Sequence, residues 1–102
     1  PLVTGAAVRF EGQLSVFLNT GTGPCYRCLY CDEDEWLGNC QGTGVVAPVP
    51  GVIGTLMAME ALKLLLGLDS ALHHRLHLWD GKRGEWRDVA LKTDPECLDC
   101  QA

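Results

Sequence analysis

Cys25-Tyr26-Arg27-Cys28 and Cys97-Leu98-Asp99-Cys100, separated by residues 29–96, are two C-x-x-C steps near opposite ends of a 102-residue chain. At this spacing one turn of backbone brings both thiolates onto a single tetrahedral ion at about 2.3 Å. Two such pairs, Cys25/Cys28 and Cys97/Cys100, make a closed four-sulfur zinc site with no open coordination position, structural and not catalytic. The interval between the pairs is much longer than in a zinc ribbon, so spacing alone leaves two alternatives. Disulfides require an oxidising compartment. A thioredoxin-type redox pair requires a βαβ context that this pattern lacks. A bound ion would contribute on the order of 10 kcal/mol to folding. That is decisive for a chain short enough to bury only about two-thirds of its unfolded surface.

Outward from these anchors the chain reads as one α/β unit. Residues 2–10 are apolar and β-tolerant, although Gly5 and two alanines blur the pattern. Residues 13–18, Gln-Leu-Ser-Val-Phe-Leu, read as a strand with Leu14, Val16 and Leu18 on one face. The turn Asn19-Thr20-Gly21-Thr22-Gly23-Pro24 delivers the chain to Cys25, and residues 32–43 read as an exposed loop. One long helix is predicted from Pro50 to Leu66, opened by proline and stopped by Gly67. It is apolar almost all round, with Glu60 and Lys63 marking a narrow solvent stripe, as in a helix buried in a larger protein or at an interface. Strands at Arg75–Trp79 and Glu85–Lys92 flank the turn Asp80-Gly81-Lys82-Arg83-Gly84. The segment Thr93–Cys100 then returns the second cysteine pair.

Hydrophobic residues make up 47% and charged residues 21%, an ordinary globular balance. The formal charge of −5, which ligated thiolates would make more negative, argues against a nucleic-acid binder. The uncharged stretch Gly44–Met59 has 16 residues with two prolines and three glycines, too short and too broken for a membrane span. No signal peptide is legible, so the expected location is cytoplasmic. The chain opens at Pro1 without an initiator methionine, as expected of a processed protein or a piece of a longer one.

Other chemistry-bearing residues are weaker signals. Cys31 reads as a bystander thiol, and Asp32-Glu33-Asp34-Glu35 as a solvated acidic loop. Cys40, in Gly38-Asn39-Cys40-Gln41-Gly42, has a polar, accessible setting and is a candidate nucleophile. His73, His74 and His77 read as surface residues, and Trp79 and Trp86 as packing the hairpin onto the helix.

Taken together, several stretches resemble a known family. They are Val3-Thr4-Gly5-Ala6-Ala7-Val8-Arg9-Phe10-Glu11-Gly12-Gln13, Cys25-Tyr26-Arg27-Cys28-Leu29, Asn39-Cys40 and Gly44-Val45-Val46-Ala47-Pro48-Val49. After them come Gly51–Lys63, Leu78-Trp79-Asp80-Gly81 with Glu85-Trp86-Arg87, and Asp94-Pro95-Glu96-Cys97-x-x-Cys100. In order and spacing these resemble the C-terminal part of the MoeB/ThiF (HesA/MoeB/ThiF) adenylyltransferases, relatives of the ubiquitin-activating enzymes. The resemblance implies an α/β fold: the C-terminal portion of a Rossmann-like domain over residues 1–102. Its mixed sheet would carry antiparallel strands, one long buried helix and a four-cysteine zinc clip.

It also implies a function. Complete members use ATP and magnesium to adenylate the C-terminal glycine of a ubiquitin-like sulfur carrier for thiamin- or molybdopterin-type sulfur transfer, and a homodimer is expected. At the position of Cys40, some members use a cysteine that links covalently to the carrier or handles sulfur. The resemblance places the family's ATP site in an N-terminal half, absent from this chain. Here Gly21-Thr22-Gly23 runs into Pro24 and Cys25, so no Gly-rich turn opens a helix toward phosphate. These 102 residues are therefore not expected to adenylate by themselves. A non-enzymatic zinc-stabilised interaction or dimerisation module is the alternative reading. Ala47, where the family frequently has glycine, and Cys31, where it often has proline, are the departures from pattern.

Overall fold

The computed structural model describes residues 1–21, 23–29, 44–70 and 72–97. Within them a four-stranded antiparallel meander, β1-β2-β3-β4, is covered on one face by a single long helix. The strands are β1 (Leu2–Val8), β2 (Glu11–Phe17), β3 (Arg75–Asp80) and β4 (Glu85–Ala90). A one-turn helix α1 (Tyr26–Leu29) follows β2, and α2 (Pro48–Leu65) precedes β3.

The blurred N-terminal stretch is a full strand because its partner imposes the pairing. β1 and β2 pair from Leu2↔Phe17 to Val8↔Glu11, leaving only Arg9 and Phe10 in the turn. Arg9 takes φ 54°, a region a non-glycine residue enters at a cost. It is held there from both sides: its N–H donates to Gly44 O (3.0 Å), and its carbonyl accepts from Val46 N–H (2.9 Å). β2 thus begins two residues before the expected Gln13, and Leu18 falls beyond its end.

Cross-strand partners share a face of a sheet. Gly5, Gly12, Leu14 and Val16 therefore lie on the side where Ile53 and Met57 of α2 approach the two glycines. Leu14 and Val16 are fully buried there, as their alternation predicts. Ser15 and Phe17, on the opposite face, are equally buried. Ser15 is satisfied by donating to Arg75 O at 2.6 Å, and Phe17 meets the Tyr26 ring edge-on at 6.2 Å.

Helix α2 starts two residues earlier than the sequence suggests, with Pro48 and Pro50 both in its first turn, where backbone N–H groups have no intrahelical partner. It ends as expected at Gly67, whose φ is 74°. Gly67 N–H donates to Leu64 O and Leu68 N–H to Lys63 O, the paired bonds of a Schellman cap. Val49, Ile53 and Glu60 are its buried residues. The solvent stripe expected at Glu60 is thus overturned. Ser70 Oγ donates to its carboxylate at 2.6 Å and Lys63 Nζ at 3.0 and 3.2 Å, offsetting the cost of removing the charge from water. Met59, Leu62 and Leu65 face outward instead. At 18 residues and mean hydropathy 1.3, α2 is long and apolar enough to cross a membrane by length and composition alone.

The β3–β4 turn follows the sequence reading closely. Asp80 Oδ1 accepts from Lys82 N–H (3.0 Å) and Arg83 N–H (3.2 Å), and Gly84 sits at φ 70°. Trp79 and Trp86 pair across it and stack on each other (centroids 5.6 Å apart). They lie on the α2 side of the sheet, yet the helix packs over β1 and β2. Each ring is thus the other's stacking partner on the face of the sheet that α2 covers. His77 continues the stack onto Trp86 at 4.4 Å and pairs with Asp88.

A Cβ at Gly12 would drive into Cγ1 and Cδ1 of Ile53. Gly12→Ala is expected to cost about 1–3 kcal/mol. In a denaturant double-mutant cycle, adding Ile53→Val should return part of that loss, a coupling of about 1 kcal/mol. Strictly additive losses would contradict this packing.

Candidate metal centre

Two short pieces of chain deliver sulfur to one point beneath the face of the sheet opposite α2. The first is the knuckle at α1. Cys28 N–H donates to Cys25 O (3.0 Å), closing the turn, and Cys25 N–H points at Cys28 Sγ (3.5 Å). Tyr26, between the two cysteines, rests edge-on against Phe17 and so fixes the knuckle to β2. The chain enters it through Gly23, whose φ of 82° suits glycine and whose α-carbon lies against the His74 imidazole, leaving no room for a side chain. Burial, with the neighbouring His73 ring as a smaller cause, holds His74 below the ordinary histidine range.

The second piece is the arm after β4. Leu91 N–H donates to His74 O (2.9 Å), directing the chain toward the knuckle. The arm then turns at Asp94, where Cys97 N–H donates to Asp94 O (3.0 Å) and Asp94 N–H donates to Cys28 Sγ (3.4 Å).

Cys25 Sγ consequently lies 3.6 Å from Cys97 Sγ and 3.9 Å from Cys28 Sγ. All three sulfurs fall within 4.8 Å of one another. Tetrahedral thiolates at about 2.3 Å from a zinc ion stand about 3.8 Å apart. A disulfide needs about 2.05 Å, and none joins these residues. The donor set therefore fits a thiolate-bound metal. Cys97 is buried and the other two are half-buried, and a cavity of about 300 Å³ lined by Pro24, Cys28, Leu29, Ala90, Leu91 and Lys92 opens beside them.

Three of the four expected ligands are thus brought together, and Cys100 lies outside the described residues. Cys31, the acidic run Asp32–Glu35 and Cys40 also lie outside them. The residues missed by sequence reasoning are those that aim the sulfurs: Asp94, whose bonds are made largely through its backbone, and His74, whose partner Gly23 is distant in sequence. A Gly-rich phosphate loop is absent among the described residues, since Gly21 and Gly23 lead only into the single turn of α1.

The ThiF family profile matches residues 1–99. The chain is 47% identical over 100 residues to the sulfur carrier protein ThiS adenylyltransferase of Escherichia coli K12, covering 98% of this chain and 39% of that protein. It is 42% identical over 105 residues to the adenylyltransferase and sulfurtransferase MOCS3 of Drosophila yakuba, and 43% identical over 103 residues to that of Culex quinquefasciatus. Those alignments take in 100% and 98% of this chain, and 23% of each relative. The chain therefore spans between about a quarter and two-fifths of the length of these curated relatives. Its matched length, its strand–knuckle–helix–hairpin order and its converging cysteines carry one conclusion: the chain belongs to the ThiF family.

Proposed function

We propose that residues 1–102 are the C-terminal, zinc-bearing part of an ATP-dependent adenylyltransferase that activates the C-terminal glycine of a ubiquitin-like sulfur carrier. The observation that carries this reading is the 47% identity, across 98% of the chain, to a protein named as a ThiS adenylyltransferase. ATP and magnesium belong to the remainder of such a protein. There the carrier's carboxylate attacks the α-phosphate and pyrophosphate leaves, a reaction that positioned cations favour. The family resemblance further supports a homodimer in the cytoplasm. The net charge of −5 supports a protein without a nucleic-acid partner, and the packing of α2 on β1 and β2 supports one that does not span a membrane.

Cys25, Cys28, Cys97 and Cys100 hold zinc in this reading. The ion supplies charge neutralisation and a cross-link, and no chemistry on substrate. The residues of this chain do the positioning: Tyr26 seats the knuckle on Phe17, and the Asp94 turn brings in Cys97. Cys40 is the thiol assigned to sulfur handling or to a covalent link with the carrier. A second reading, a zinc-stabilised interaction or dimerisation module without enzymatic activity, draws on the outward-facing Met59, Leu62, Leu65 and Leu66 of α2 and its end.

Carrier-dependent exchange of labelled pyrophosphate into ATP by the complete polypeptide is the expected result with a Gly-Gly-ended carrier. Its absence, with carrier still bound by these residues alone, would instead support the interaction module. Zinc analysis should give one ion per chain. Cys97→Ser, or chelation of the wild type, should lower unfolding stability by several kcal/mol, read by denaturant titration. Cys40→Ser should abolish any thiol-sensitive carrier adduct on a non-reducing gel. Retention of the adduct would remove Cys40 from its assigned role.

A further inference from the structure

In the arm that carries Cys97, Asp94, Pro95 and Glu96 are exposed and Cys97 is buried, so burial at the first three does not set its course. Its shape is instead set by local hydrogen bonds. Asp94 Oδ1 accepts from Glu96 N–H at 2.9 Å, and Asp94 O accepts from Cys97 N–H at 3.0 Å. Asp94 at the first position and Pro95 at the second are the residues a type I turn favours: the carboxylate ties down the third residue's amide, and the ring fixes φ. At the two ends of this turn stand two contacts with the knuckle. Asp94 N–H donates to Cys28 Sγ at 3.4 Å, and Cys97 Sγ lies 3.6 Å from Cys25 Sγ. One preformed turn therefore presents an amide to one thiolate and a sulfur beside another.

We propose that Asp94 is a positioning residue for the metal centre, its carboxylate locking the 94–97 turn so that Asp94 N–H and Cys97 Sγ reach the knuckle together. The inference rests on the metal reading given above and adds a residue outside the ligand set. Its chemistry separates two roles of the side chain. As an acceptor, Oδ1 organises the turn. As a charge, the carboxylate adds to the negative charge beside the sulfurs and repels thiolates there. Asparagine keeps the acceptor and removes the charge, whereas alanine removes both. If the acceptor is what matters, Asp94→Asn binds metal at least as tightly as wild type, and Asp94→Ala binds it more weakly. Outer-shell partners of metal ligands typically contribute about 10–100-fold in affinity. With the main-chain donor to Cys28 left in place by both substitutions, the low end, about 10-fold, is expected for Asp94→Ala.

The test is cobalt(II) titration of the full chain as wild type, Asp94→Ala and Asp94→Asn, followed by zinc competition against a chromophoric chelator. Tetrahedral thiolate coordination gives cobalt a sulfur-to-metal charge-transfer band and intense ligand-field bands, which a change in fold stability alone would not shift. The expected result is a wild-type spectrum of this kind with near-identical bands and affinity in Asp94→Asn. Asp94→Ala should show altered ligand-field bands and about 10-fold weaker zinc binding. Wild-type affinity and spectrum in Asp94→Ala would overturn the role of Asp94 and leave the metal site standing. Equal weakening in Asp94→Asn and Asp94→Ala would overturn it too, by showing that the acceptor is not what counts. No thiolate spectrum from the wild type would overturn the metal reading and this inference with it.

Discussion

Cys25 Sγ and Cys97 Sγ meet at 3.6 Å across 72 positions of sequence, and most of what lies on one face of the sheet depends on that meeting. Thiols gain little from such proximity, and thiolates repel each other. A divalent cation reverses the sign, turning mutual repulsion into shared attraction. The contact also closes a long loop, which costs conformational entropy that a weak contact could not offset. Tyr26 against Phe17 and Gly23 against His74 serve the same meeting: they seat the knuckle where the arm can reach it.

The strand that receives this assembly is β2, and it is buried on both faces for two different reasons. On one side Leu14 and Val16 meet the apolar stripe of α2, drawn close by the absence of side chains at Gly5 and Gly12. On the other, Phe17 meets Tyr26 of the knuckle, and Ser15 is buried with its hydroxyl spent on Arg75 O. Helix and cysteine knuckle thus pack on the same strand from opposite sides.

Helix α2 shows how far a local rule carries. Its apolar sequence does not decide which stripe turns inward, because nearly every stripe is apolar. The choice falls to two glycines on neighbouring strands, which admit Ile53 and Met57, and to Ser70, which makes room for a buried Glu60. The result inverts the simple expectation. A carboxylate goes inside, hydrogen-bonded, while Met59 and Leu62 stay out.

Much of this protein could be read from sequence where a signal is local. The C-x-x-C spacing singled out Cys25, Cys28 and Cys97, whose sulfurs converge, Gly67 marked the helix end, and Asp80–Gly84 marked the turn between β3 and β4. Each rests on the stereochemistry of a few consecutive residues, which the chain carries wherever it folds. Tertiary structure alone decided the rest. It made a strand of Leu2–Val8, stacked Trp79 on Trp86, buried Glu60, and set Asp94 N–H against Cys28 Sγ. These outcomes join residues far apart in sequence, and their energies come from partners that no local window contains.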